Sequence, residues 1–229
     1  NYSLMLKPFV IGKFHSINEL DSMTFSYKKD LRERIRFLII DDEPFVYLEK
    51  LRNAKFNVTQ IPDITDLHAI AEYNVVICDI NGVGNTFSSE YGGAFVLSQM
   101  KQLYPDKQYA YYSGKPIYTT RMMALLGNIT SITKDAEIDQ WTSYFDKFIE
   151  NSANPKFAWK QMKELCVAND VATFSIARME DEYVRVIKKN PALLSQIHYE
   201  DYQIKDELQT LLKSIISNLI ASLVVATAL

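Results

Sequence analysis

The chain has 229 residues, 25 basic and 28 acidic side chains, a net charge of −3, and 48% apolar and 23% charged residues. This composition excludes a disordered chain, a collagen-like repeat and a disulfide scaffold. The mild acidity disfavours a nucleic-acid-binding protein, for which we expect a basic face. The two cysteines, Cys78 and Cys166, lie in no metal-binding or disulfide spacing, which favours a reducing, cytoplasmic location.

Residues 1–33 precede the first predicted strand and are expected to form an N-terminal extension. They carry no signal-peptide pattern, since the apolar stretch is interrupted by Lys7 and Pro8. Within the extension, Phe9–Phe14 is expected to add an edge strand or to pack against the C-terminal region.

Residues 34–150 alternate between short apolar runs and amphipathic segments, which predicts an α/β domain. Five βα units in series predict a parallel sheet with helices on both faces and right-handed crossovers. The predicted strands are Arg36–Ile40, Phe56–Ile61, Val75–Cys78, Gln108–Tyr112 and Ile129–Thr133. The predicted helices are a segment with Pro44 in its first turn, Thr65–Tyr73, Ala94–Leu103, Pro116–Leu126 and Asp135–Glu150.

Polar residues stand at the carboxyl ends of four predicted strands, where sites of open α/β sheets lie. Asp41 and Asp42 follow the first strand, Asp79 the third, Ser113 the fourth and Lys134 the fifth. Crowded carboxylates repel each other, and a hard divalent cation such as Mg²⁺ relieves that repulsion. A lysine and a hydroxyl opposite the metal suit an incoming phosphoryl group, and a carboxylate is a competent nucleophile for it.

Each of these residues taken alone has a structural explanation. A single Asp at a strand end is usually a turn or a helix cap, Ser113-Gly114 is a routine turn, and Lys134 is an ordinary solvated residue. We favour one shared site because all of them fall at strand ends in the expected order.

The same segments resemble the receiver domain of bacterial two-component response regulators over residues 34–150. The resemblance implies a flavodoxin-like fold with strand order 2-1-3-4-5. It is carried by FLIIDDEP (Phe37–Pro44), VVICDING (Val75–Gly82), YYSG (Tyr111–Gly114) and ITK (Ile132–Lys134).

By this resemblance, Asp79 would accept a phosphoryl group from a histidine kinase or a phosphotransfer protein. Asp42 and Asp79 would bind Mg²⁺ directly, together with the backbone carbonyl of Asn81. Asp41 would act through a bound water molecule. The resemblance thus implies a phosphorelay signalling protein with Mg²⁺ as its cofactor.

The resemblance also implies that Ser113 and Lys134 contact the phosphoryl group.

The sequence departs from the family pattern in three places. The loop between Ile80 and Gly93 is longer than usual and could gate the site or contact a partner. Ser131 stands where the family often has an aromatic switch residue, and Asp135 stands where it often has a cis proline.

Three tyrosines of the fourth strand, Tyr109, Tyr111 and Tyr112, are interpreted as core and interface residues rather than as part of the chemistry.

Residues 151–229 are predicted to form a helical output or interaction region, with helices over Pro155–Val167, Val171–Lys189 and Tyr202–Leu229. The region has no net charge and no helix-turn-helix signature, so DNA binding is not expected. The last helix has a broad apolar face, which favours a helical protein partner or a homodimer. Residues 214–229 carry no charge but are shorter than the roughly 20 residues of a spanning helix, so membrane contact is the less favoured alternative.

Three functions remain from the sequence. The first is the signalling receiver described above, which is not an enzyme towards external substrates. The second is a degenerate receiver that serves as a dimerisation scaffold without phosphorylation. The third, less favoured, is a Mg²⁺-dependent phosphatase with an Asp nucleophile, because Asn81 stands where the phosphatases we compare carry a second Asp as general acid.

Overall fold

The computed structural model describes residues 14–23, 25, 30–88, 90–114 and 119–223. At the centre of the fold lies a sheet of five parallel strands. The strands are β1 (Arg36–Ile40), β2 (Asn57–Ile61), β3 (Val75–Asp79), β4 (Gln108–Ser113) and β5 (Thr130–Thr133). Each strand begins and ends within one residue of its predicted bounds.

The strand order is β2-β1-β3-β4-β5, and every neighbouring pair is parallel. This is the flavodoxin-like order, so the predicted fold class is confirmed. The chain leaves β1 towards β2 on one side and returns to β3 on the other. The carboxyl ends of β1 and β3 therefore form the switch point at which ligands of such sheets bind.

The sheet is covered on both faces, which explains the continuous apolar run of its first strand. Phe37 and Ile39 of β1 point into one apolar core, and Leu38 and Ile40 point into the other. All four side chains are at most 1% exposed.

Helices flank the sheet on both sides, as predicted. The helices are α1 (Leu31–Arg34), α2 (Leu48–Asn53), α3 (Gly92–Leu103), α4 (Thr120–Leu126) and α5 (Ile138–Ser152). Apolar side chains of α3 and α4 contribute to one core, and those of α2 and α5 contribute to the other. The predicted start of α4 at Pro116 falls partly on residues 115–118, which lie outside the described residues.

The helix predicted to carry Pro44 in its first turn begins only at Leu48, so that prediction is wrong. The side chain of Gln60 explains the late start. Its amide nitrogen donates to the carbonyl oxygens of Asp41 (3.1 Å) and Glu43 (2.7 Å), and its amide oxygen accepts from the backbone of Phe45 (3.0 Å). The backbone groups after β1 are thus satisfied in a non-helical conformation.

The helix predicted over Thr65–Tyr73 is also wrong, since only a 3₁₀ turn forms at Leu67–Ile70. The ammonium group of Lys107 donates to the carbonyl oxygens of Ala71 (2.8 Å) and Tyr73 (2.5 Å), which follow this turn.

The C-terminal part is helical, as predicted. Its apolar side chains join the core on the α5 side of the sheet in one continuous cluster. The predicted domain boundary near residue 150 stays a prediction. The helices are α6 (Pro155–Ala168), α7 (Thr173–Lys189) and α8 (Asp206–Ser222), with 3₁₀ helices at Pro191–Gln196 and Tyr199–Tyr202. The predicted final helix thus begins later, at Asp206, and residues 224–229 lie outside the described residues.

The N-terminal extension contributes a 3₁₀ helix, Ile17–Ser22, that packs on α6 and α7. The backbone of Ile17 donates to Glu180 at 2.9 Å, and Glu19 pairs with Lys188 at 2.7 Å. Of the edge strand expected over Phe9–Phe14, residues 9–13 lie outside the described residues, and Phe14 forms no strand. Among the described helices, none is long and apolar enough to cross a membrane.

Candidate functional site

Three aspartates meet at the carboxyl edge of the sheet, at the switch point between β1 and β3. Asp41 and Asp42 directly follow β1, and Asp79 is the last residue of β3. Each has a carboxylate oxygen within 4.8 Å of an oxygen of the other two. Asp41 and Asp79 are 3% and 2% exposed, whereas Asp42 faces solvent. The cluster therefore has two buried carboxylates and one that faces solvent.

Neighbouring donors fix the two buried carboxylates. The backbone of Glu43 donates to Asp41 Oδ1 at 2.9 Å, and the hydroxyl of Tyr112 donates to Asp41 Oδ2 at 2.5 Å. The backbone of Asn81 donates to Asp79 Oδ1 at 3.1 Å. Burial first, and then the hydrogen bond to Asp41, raise the pKa of Tyr112, so its hydroxyl remains a donor.

Lys134 extends from the end of β5 into the acidic cluster. Its ammonium nitrogen lies 2.9 Å from Asp79 Oδ2 and 3.9 Å from Glu43 Oε2. The hydrogen bond to Asp79 raises the pKa of Lys134, so the lysine is charged at neutral pH. Among the described residues, the Lys134 ammonium group thus pairs with Asp79 and lies near Glu43.

Ser113, at the end of β4, lies at the rim of this cluster. Its hydroxyl oxygen accepts a hydrogen bond of 2.8 Å from the side-chain amide of Asn81. The hydroxyl and the amide therefore lie beside Asp79, whose Oδ1 is bound by the backbone of the same Asn81.

Two glycines after β3 allow the chain to approach the aspartates closely. Gly82, in the loop, has a φ of +79°, and a Cβ at this position would lie 2.2 Å from Asp42 Oδ1. A Cβ at Gly93, in the first turn of α3, would lie 2.1 Å from the backbone oxygen of Asp79. Side chains at these two positions would prevent this close approach.

The arrangement provides hard oxygen donors in an excess of negative charge, which fits Mg²⁺ better than a soft metal. The lysine on the opposite side can neutralise the oxygens of a phosphoryl group that approaches Asp79. The structure thus places every sequence-predicted site residue at one edge of the sheet: Asp41, Asp42, Asp79, Asn81, Ser113 and Lys134.

Sequence reasoning missed four residues that shape this edge. Tyr112 is 1% exposed and packs in the core as predicted, but its hydroxyl also binds Asp41. Tyr112 pairs with Asp79 in the β3–β4 register, which only the structure shows. The other three are Glu43, Gln60 and Gly82.

No protein-family model matches the sequence, and a search of curated proteins finds no match. Among solved structures, the chain is similar to the signal receiver domain of an HD domain-containing protein from Pseudomonas fluorescens Pf-5, with 17% identity and a TM-score of 0.40 over 51% of this chain and 94% of that chain. It is also similar to a response regulator receiver domain protein from Clostridium thermocellum, with 17% identity and a TM-score of 0.41 over the same shares.

A third similar structure is a response regulator from Burkholderia pseudomallei that contains a phosphorylated aspartic acid and a calcium ion. It has 14% identity and a TM-score of 0.38 over 63% of this chain and 91% of that chain. About half of the chain is thus similar in structure to response regulator receiver domains. At these identities the similarity concerns the fold, and the function depends on the side chains of this chain.

Proposed function

We propose that this protein is a phosphorelay signalling protein in which Asp79 accepts a phosphoryl group from a histidine kinase or a phosphotransfer protein. One observation carries the proposal. The Asp79 carboxylate lies 2.9 Å from the ammonium group of Lys134 and within 4.8 Å of the carboxylates of Asp41 and Asp42. A nucleophile, a cation for the phosphoryl oxygens and a set of metal ligands therefore converge at one point.

Mg²⁺ is the cofactor we propose for this cluster. Asp42 and Asp79 would bind it directly with the backbone carbonyl of Asn81, and Asp41 would act through a water molecule. The ion would supply positive charge to the phosphoryl oxygens. Among the described residues, three aspartates and Glu43 lie at this edge near Lys134, which supports the assignment.

Besides the proposed Mg²⁺, the transfer needs only the phosphorylated donor. A carboxylate oxygen of Asp79 attacks the phosphorus of a phosphohistidine, a P–O bond forms, and the P–N bond breaks with its electron pair on the imidazole nitrogen. Lys134 exchanges its contact with Asp79 for one with a phosphoryl oxygen. The Ser113 hydroxyl, which accepts a hydrogen bond from Asn81, donates its own hydrogen to another phosphoryl oxygen.

The helical region is the proposed output. Helix α5 packs against α6 and α8, and α6 packs against α7, so a shift of α5 changes the contacts of α6 and α8 directly. We expect the altered surface to bind a helical partner or a second copy of the chain. We expect no turnover of external phosphate esters, since Asn81 cannot act as the general acid that such turnover needs.

Incubation with acetyl phosphate and Mg²⁺, followed by intact-mass measurement, tests the proposal. Wild type should gain the mass of one phosphoryl group, and Asp79→Asn should gain none. Asp139→Asn, which alters an exposed aspartate of α5, should behave like wild type. An unmodified wild-type protein would contradict the proposal and favour a dimerisation scaffold, and steady phosphate release from many esters would favour a phosphatase.

A further inference from the structure

One tyrosine connects the acidic cluster to the core of the protein. Tyr112 is 1% exposed and stands on β4 opposite Asp79. Its hydroxyl donates to Asp41 Oδ2 at 2.5 Å, and the other oxygen of Asp41 is held by the backbone of Glu43. The tyrosine hydroxyl therefore fixes the orientation of the buried Asp41 carboxylate.

The ring of Tyr112 has charged and aromatic neighbours. The ammonium nitrogen of Lys134 lies 5.8 Å from the ring centroid. Trp141 of α5 packs against the ring at 5.5 Å with an interplanar angle of 90°, and Phe45 lies 6.3 Å away. Trp141 and Phe45 also contact each other, at 4.8 Å. The ring thus touches both the site and the helix that leads to the C-terminal region.

We propose that Tyr112 is a positioning residue that orients Asp41 and couples occupancy of the acidic cluster to helix α5. The inference rests on the proposed function of this cluster and adds the route by which its state reaches α5.

Two changes at the site act on this one ring. A cation among the carboxylates attracts the charge of Asp41, the carboxylate that the Tyr112 hydroxyl orients. A phosphoryl group on Asp79 draws Lys134 away from the ring. Because the core is close-packed, a rotated Tyr112 ring requires Trp141 to adjust as well.

The test compares two tyrosine variants of the same strand. Tyr112→Phe removes the hydroxyl and keeps the ring. Tyr109→Phe is the matched control, because its hydroxyl is also hydrogen-bonded, to the carbonyls of Met100 (2.9 Å) and Tyr104 (2.8 Å), but on the opposite face of the sheet. Calorimetry measures binding of Mg²⁺ with beryllofluoride, a phosphoryl mimic, and tryptophan fluorescence measures the response.

We expect saturation with the mimic to change the fluorescence of wild type, and we expect Trp141→Phe to abolish that change. Tyr112→Phe should bind about tenfold more weakly, because a hydrogen bond to a charged group is lost, and should show no change in fluorescence at saturation. Tyr109→Phe should match wild type in both measurements.

The inference would be overturned if Tyr112→Phe bound the mimic with the affinity of wild type and also showed the same change in fluorescence. Calorimetric binding to wild type without any fluorescence change would overturn the coupling and leave the proposed function intact. Absence of mimic binding to wild type would overturn both. If Tyr112→Phe does not fold, hydrogen exchange over α5 in wild type decides, since unchanged exchange on mimic binding contradicts the coupling.

Discussion

Replacement of Gly82 by alanine is predicted to remove Mg²⁺ binding while leaving the fold largely intact. The new Cβ would lie 2.2 Å from Asp42 Oδ1 and 2.3 Å from its Cγ. Ordinary contacts of carbon lie at about 3.5–4.0 Å, so the Asp42 carboxylate must move by on the order of 1 Å or more. Mg²⁺ tolerates little deviation from its octahedral geometry, so a ligand displaced this far is lost. We expect Mg²⁺ to bind at least about tenfold more weakly.

Gly127→Ala is the control for backbone strain. Gly127 also has a positive φ, +51°, with a ψ of −117°, but the nearest atom to its added Cβ would be 3.9 Å away. Each substitution should cost on the order of 1–3 kcal/mol from the backbone alone. That cost corresponds to a fall in Tm of about 2–12 °C for a chain of this size.

Isothermal titration calorimetry with Mg²⁺ and thermal unfolding without it separate the two effects. The variants should have similar Tm values, because Asp42 is exposed and its side chain can move aside. Only Gly82→Ala should lose affinity. Equal Mg²⁺ affinity in Gly82→Ala and Gly127→Ala would refute the assignment of Asp42 as a ligand.

Two further predictions concern the charged pairs of the fold. Lys134→Met removes the ammonium group that lies 2.9 Å from Asp79. Acetyl phosphate should then modify the protein about 100-fold more slowly, and Mg²⁺ should bind more tightly. An unchanged rate of modification in an intact-mass time course would contradict this prediction. Hydrogen bonds from Lys188 and His15 lower the pKa of Glu19 from its ordinary 4.5 to about 2, so its contribution to stability is present above pH 4.5 and is lost as the pH falls through 2. The Tm difference between wild type and Glu19→Gln should therefore vanish by about pH 2; a difference that persists there would contradict it.

The sheet and most of the site could be predicted from sequence, because both depend on local signals. Apolar runs such as Arg36–Ile40 and Val75–Asp79 are bounded by polar residues, and parallel pairing brings their carboxyl ends together. Once the strand order is fixed, Asp42, Asp79 and Lys134 must lie at one edge. Their proximity therefore follows from topology and does not require knowledge of side-chain geometry.

The remaining features depend on contacts between distant segments, which a single sequence does not show. Pro44 is compatible with a first helical turn. The hydrogen bonds of the Gln60 side chain to the backbone of Glu43 and Phe45 hold this segment in a non-helical conformation. Tyr112 is one apolar-looking residue of a tyrosine-rich strand until its hydroxyl is found on Asp41. The steric reason for Gly82 likewise appears only when Asp42 is placed beneath it.

A crystal structure of the protein with Mn²⁺ in place of Mg²⁺ and with beryllofluoride tests the central claim most directly. We predict an anomalous peak within coordination distance of Asp42 and Asp79, with beryllofluoride attached to a carboxylate oxygen of Asp79 and contacted by Lys134. Two results would contradict the account. One is a metal bound elsewhere, and the other is an Asp79 without beryllofluoride, still paired with Lys134, at a saturating concentration of the mimic.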